Sequence, residues 1–166
     1  MGRWETGAQT VDYLVGKGRL ESFTAEDLRS LAEALLARAT LRVQTTAVAA
    51  RKGGDVDGAY VAAYDGYRMA AESLLAIQGL RATSGDGSHM TVEDAVSAQF
   101  SKDIRAFAKP TFERFRRTRH SAQYFDPDAA SITAADAAWA IEKATAALAG
   151  ARALLAGSPP DRFTPD

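Results

Sequence analysis

The stretch FERFRRTRHSAQYFDP, residues 112–127, places four arginines and a histidine within the seven positions from Arg114 to His120, with no acid among them. Guanidinium forks match the oxygens of phosphates and carboxylates. An imidazole with a pKa near 6.5 exchanges protons at neutral pH. Together these groups suit contact with an anion. Between Lys102 and Arg119 there are seven basic residues and two acids, Asp103 and Glu113, in a chain whose net charge is −1. A local excess of that kind is the footprint of a surface that meets polyanions. The plainer alternative is that the arginines pair with acids of neighbouring helices, for which Asp65, Glu72, Glu93 and Asp94 are available.

Positioning follows from helix geometry. At about 100° per residue, Phe112, Phe115 and Arg119 share one face, so Arg119 follows two core phenylalanines inward. A charge there is costly unless an anion or a partner meets it. His120 and Tyr124 form an i, i+4 pair on the adjoining face, one turn beyond Arg117, and Arg114 lies on the far side. Arg119 and Tyr124 diverge by roughly 140° on a straight helix. Either the helix ends before Tyr124, or a second copy of the chain supplies half of the site, which would make a two-fold dimer part of the mechanism.

The elements around this segment read as helices throughout, and no stretch shows the alternation of a strand. A short helix covers Ala8–Gly16. Thr24-Ala-Glu-Asp27 caps a long helix with Leu28, Leu31, Leu35 and Leu36 on one face, reaching about Arg51 before Gly53-Gly54. A second long helix spans Val56–Leu80, with Tyr60, Tyr64 and Tyr67 on a stripe read as core packing; buried hydroxyls there need partners. Gly66 marks either a weak spot or a close helix contact. Residues 81–90 form a polar linker containing His89, read as solvated or capping. Thr91 caps the next helix, and Pro110 kinks it or starts the arginine helix of residues 111–124. Thr133-Ala-Ala-Asp136 caps a last, alanine-rich helix running to about Ala156, with Trp139, Leu148 and Leu155 as anchors.

The expected fold is therefore all-α, an antiparallel up-and-down helical bundle of four to five main helices. Its parts are a short helix and linker over residues 1–23, the bundle over 24–156 and a flexible tail over 157–166. The chain has no cysteine and two histidines, His89 and His120. That composition excludes disulfides, cysteine nucleophiles and histidine-rich metal sites. No cofactor is called for. No run approaches the roughly 20 apolar residues of a membrane span, and MGRWETGAQ lacks the apolar stretch of a signal peptide. The expected location is cytoplasmic, and the abundance of Ala, Arg and Gly points to a GC-rich bacterial source.

A helix reading AAYDGYRMAAESLLAIQGL, a polar hairpin, a helix like VEDAVSAQF and then FRRTRHSAQYFD resemble the HEPN superfamily over about residues 24–156. That resemblance implies a small helical domain, in many members a metal-independent ribonuclease of toxin–antitoxin, defence or RNA-processing systems. It further implies a homodimer whose motif residues meet at the interface, and in some systems a nucleotidyltransferase-type antitoxin as partner. The family motif is an arginine, usually followed by a polar residue, with a histidine four to six positions after the arginine. It lies on this chain in two ways. In one, Arg119 is the arginine, His120 holds the polar position and Tyr124 stands where the histidine belongs. In the other, Arg114 pairs with His120. The first is the closer, because Arg119-His-Ser-Ala-Gln-Tyr124 looks like the Arg-Asn-x-Ala-x-Tyr ending of many members. The catalytic candidates are then Arg119, His120 and Tyr124, with Arg114, Arg116 and Arg117 as RNA contacts. A phenol with a pKa near 10 is only about one part in a thousand ionised at pH 7. Tyr124 would therefore be a poor base, which leaves two readings: an RNA-cleaving enzyme, or a non-catalytic module binding RNA, a nucleotide or a protein.

Overall fold

A computed structural model describes residues 6–164. The chain is mostly helical. α1 (Ala8–Gly16) leads to a short strand β1 (Leu20–Ser22) and then α2 (Leu28–Thr40), which continues through a π-helical stretch, Leu41–Ala47, into α3 (Val48–Lys52). α4 (Val56–Ala76), strand β2 (Leu80–Ala82), α5 (Ser88–Phe100), a 3₁₀ turn (Arg105–Phe107), α6 (Lys109–Gln123) and α7 (Ala134–Gly157) follow.

α4 is the central element, packing against α2 with its π-helical extension, α7, α6 and α5. Its tyrosine stripe is core: Tyr60, Tyr64 and Tyr67 are all buried. Each hydroxyl has a partner. Tyr60 donates to the Arg114 carbonyl at 3.5 Å, Tyr67 to the Ala106 carbonyl at 2.7 Å, and Tyr64 meets His89 Nδ1 at 2.7 Å. Phe115 of α6 closes the cluster, its ring 4.4 Å from Tyr67 and 4.9 Å from Trp139 of α7. α7 can lie close because its buried face is largely alanine.

Two expectations about local structure are corrected. The chain does contain strands: Leu20–Ser22 pairs antiparallel with Leu80–Ala82. Three residues each are too few to display alternation, and their pairing is set by α1 and α4, which bring them together. α5 begins at Ser88 rather than behind Thr91, because Gly87 takes a positive φ of 89° at the N-cap and Thr91 instead bonds back to the Gly87 carbonyl. His89 thus belongs to a helix, not to a linker. Asp27, the last residue of the first capping signal, is the actual cap of α2, accepting from the Ser30 amide at 3.0 Å. The Thr133–Asp136 capping box and Pro110 in the first turn of α6 form as read. Beyond α7 the chain returns to the body, where Phe163 is buried and its amide donates to the Gln78 carbonyl at 2.8 Å.

Gly66 sits where α4 crosses α2 and its π-helical stretch. A Cβ there would come within 2.9 Å of the Ala39 carbonyl oxygen, as well as striking the Val43 side chain. The helix contact therefore decides the residue against the roughly 1 kcal/mol of propensity that alanine would add. Gly66→Ala is expected to lose about 1–2 kcal/mol net through overpacking, measured as a lower urea midpoint; a higher midpoint would mean that the two helices separate freely.

α5 is fixed to the rest by two sets of polar contacts. Gln78 and Gln99, both buried, exchange amide bonds at 3.2 and 2.9 Å and tie it to the end of α4. Glu93, almost fully buried, meets Arg116 of α6 at 3.3 Å, and Asp94 meets Lys109 at 3.0 Å. These ties hold His89 against α4 and beside α6. Among the described residues no helix is long and apolar enough to cross a membrane.

Candidate functional site

α6 distributes its cations unequally. Arg116 is engaged by Glu93, and Arg114 is held between Asp136, at 3.5 Å, and the face of Trp139, 3.9 Å from the ring centroid. Burial raises the Glu93 carboxyl above its ordinary pKa, and Arg116 pulls it back. Arg116 is held by one of the acids the plainer reading named, Glu93, whereas the partner of Arg114 is Asp136, which that reading did not name. Arg117 and Arg119 have no carboxylate within ion-pair distance among the described residues.

Arg119 turns inward after Phe112 and Phe115, as its spacing requires, and its guanidinium lies 5.2 Å from the centroid of the Tyr64 ring. The ring face takes the place of an acid, a favourable cation–π contact. Its Nε–H is nevertheless buried without a hydrogen-bond partner, and so is Nε of Arg68, one turn after Tyr64 on α4. An unsatisfied buried donor costs about 1–3 kcal/mol. Two such donors, both guanidinium, flank the same pair of rings, Tyr64 and His89.

That pair was not evident from the sequence. The rings are nearly parallel, 15° apart at 5.8 Å, and joined by the bond between the hydroxyl and Nδ1. Burial pushes the Tyr64 phenol up to about 12, only partly countered by Arg68 and Arg119, so it remains a protonated hydroxyl at neutral pH. His89 moves the other way. Burial and the charges of Arg68 and Arg119 lower it, with Asp65 opposing, and the imidazole is therefore held neutral. A neutral imidazole can take a proton at Nε2 when Nδ1 carries the hydrogen and donates it to the phenol oxygen.

The other half of the predicted constellation lies outside. α6 ends at Gln123, and Tyr124, its C-cap, is extended at φ −118°, ψ 120°. Of the two geometric alternatives, the helix therefore ends before Tyr124. His120 and Tyr124 are both exposed, with ring centroids 5.0 Å apart, and Phe125 beside them is 93% exposed. Arg117 lines an open recess of about 350 Å³ with Arg114, Thr118, Ser121 and Asp136. His120 is next to Arg119 in the chain, and His89 is bonded to the tyrosine whose ring Arg119 covers. Among the described residues no group of three or more His, Cys, Asp or Glu side chains is placed to hold a metal ion. No protein-family model, no curated protein and no solved structure matches the chain.

A stability test isolates His89. Its pKa is below 6.5 when folded, so the unfolded chain binds the proton first as pH falls, and folding loses free energy through that range. The charged or titrating groups acting on it are Tyr64, Arg68, Arg119 and Asp65. Glu72 and Glu93, both raised, act with the opposite sign, but they do so in wild type and variant alike. The wild-type urea midpoint should therefore fall more between pH 7.5 and 5.5 than that of His89→Gln. Parallel profiles would show that His89 takes up its proton without cost.

Proposed function

We propose that the chain is a HEPN-like, RNA-handling helical domain that binds single-stranded RNA at the end of α6 and cleaves it without a metal. One observation carries this reading. Arg114 and Arg116 are used within the bundle, whereas Arg117 is exposed with no carboxylate on the helix that ends in the exposed His120, Tyr124 and Phe125, and Arg119, turned inward on Tyr64, has no carboxylate to hold it either. Cations that follow the phosphates next to aromatic faces that stack on bases are the usual means of holding a single strand.

Cleavage would proceed by attack of a ribose 2′-hydroxyl on the adjacent phosphorus. A new O2′–P bond forms and the P–O5′ bond breaks, giving a 2′,3′-cyclic phosphate and a 5′-hydroxyl. One imidazole accepts the 2′ proton and another group delivers a proton to O5′. Arg119 holds the charge growing on the phosphate oxygens. The two imidazoles of the chain, His89 and His120, are the candidates for the two proton transfers, and Tyr124 is a hydrogen-bond donor rather than a base. The domain acts in this reading as a bacterial toxin or defence protein, as a homodimer, with a nucleotidyltransferase-type antitoxin as one class of partner.

The test is incubation of the purified chain with end-labelled RNA in excess chelator. Fragments with cyclic phosphate ends, lost in Arg119→Ala and His120→Ala, are expected. RNA left intact by folded wild-type protein would remove the enzyme. A second reading, binding without cleavage, is favoured by the tyrosine standing in the motif histidine's place. It expects affinity to fall steeply with salt, by a power set by the number of phosphates engaged.

A further inference from the structure

A cavity of about 360 Å³ opens between α2, the end of α4, β2 and the start of α5, away from the exposed end of α6. Its walls are apolar, formed by Phe23, Leu31, Leu35, Leu75, Leu80 and Val92. Among them stand three charged groups, Arg68, Glu72 and Arg81, with Ser84 and Ser88 also lining the cavity. A concave, largely apolar site of at least 300 Å³ with a few converging polar groups is the usual form of a small-molecule site.

The polar groups indicate what it would hold. Arg68 and Glu72 are one helical turn apart, yet the closest approach of Nη1 to Oε1 is 3.6 Å, too long for a hydrogen bond. Arg68 Nε is buried and has no partner at all. Nε is closed off from the cavity, but no hydrogen bond holds the Nη groups, which therefore keep donors for a carboxylate. Arg81 is already bonded to Glu21 at 2.6 Å, so Arg68 is the guanidinium left to the cavity. Burial disfavours the Glu72 charge, which Arg68 only partly restores, whereas the guanidinium keeps its own charge.

We infer that this cavity is a binding site for a small amphipathic carboxylate, its apolar body against the leucines and its head group on Arg68. The inference does not depend on the RNA reading. The experiment is calorimetric titration of the full chain with octanoate, and with octanol and octylamine as neutral and cationic counterparts. Octanoate is expected to bind at least about tenfold more tightly than either, the worth of one charge-assisted contact. Arg68→Met should reduce octanoate to the level of octanol. Leu35→Trp, a half-buried wall position that can accept a larger ring, should block all three while leaving the thermal midpoint near that of wild type. The proposal is overturned if octanol or octylamine binds as tightly as octanoate, if Arg68→Met binds octanoate like wild type, or if folded protein gives no heat at millimolar octanoate.

Discussion

Arg119→Ala is expected to lower RNA cleavage by about 10²–10³-fold, the usual cost of removing one group that holds charge developing in a transition state. Its stability should stay within about 1 kcal/mol of wild type, because loss of the contact with the Tyr64 ring is offset by removal of a buried donor that has no partner. The basis for this dissociation is that the side chain forms no ion pair, leaves Nε without a partner, and contributes only its contact with the Tyr64 ring. Arg114→Ala should do the reverse. It loses the Trp139 face and the Asp136 contact, so it should destabilise by about 0.5–2 kcal/mol while changing cleavage little. Paired measurement of initial cleavage rate and urea midpoint separates the two. An Arg119→Ala protein that cleaves normally but unfolds more easily would show that the residue serves the bundle.

The second large effect is on stability. Phe115 is fully buried, and its ring lies within 4.4–5.7 Å of Tyr60, Tyr64, Tyr67 and Trp139. Truncation to alanine removes the transfer free energy of the ring and leaves a cavity between α4, α6 and α7, together about 3–5 kcal/mol. Domains are stable by only about 5–15 kcal/mol, so the variant should sit near its threshold. The effect also reaches the site, because Phe115 supports the Tyr64 ring on which Arg119 rests. Urea unfolding should show a much lower midpoint together with loss of near-ultraviolet aromatic signal. A loss under about 1.5 kcal/mol would mean that the neighbouring rings close over the gap.

What the sequence made legible were features with a local period or a local chemical signature. The spacing of Phe112, Phe115 and Arg119 placed the arginine inward, the tyrosine stripe identified the core face of α4, and Pro110 and Thr133–Asp136 marked helix starts. Features depending on distant partners were not legible. The strands β1 and β2 are three residues each and lie far apart in the chain, so neither carries a pattern of its own. The π-helical turns at Leu41–Ala47 have an ordinary helical composition and are evident only where they meet Gly66. Sorting the arginines into engaged and available required knowing that Glu93 reaches Arg116 while Asp136 reaches Arg114. His89 was hardest to place, because Gly87 starts its helix ahead of the visible cap at Thr91. Its partner Tyr64 was assigned, correctly, to the core. The signal that bears on it is the pairing of a buried-face tyrosine with a histidine one helix later, and that becomes informative only once the packing of α5 on α4 is known.

The account as a whole depends on guanidinium groups left without a carboxylate toward the end of α6. Arginine Nε–H resonances of ¹⁵N-labelled protein, followed while a short single-stranded RNA is added in chelator, report on those groups one by one. The signals of Arg119 and Arg117 should shift and saturate together, while those of Arg114 and Arg116 stay near their starting positions. Movement confined to Arg114 and Arg116, or no movement at saturating RNA, would contradict the assignment of this surface to RNA.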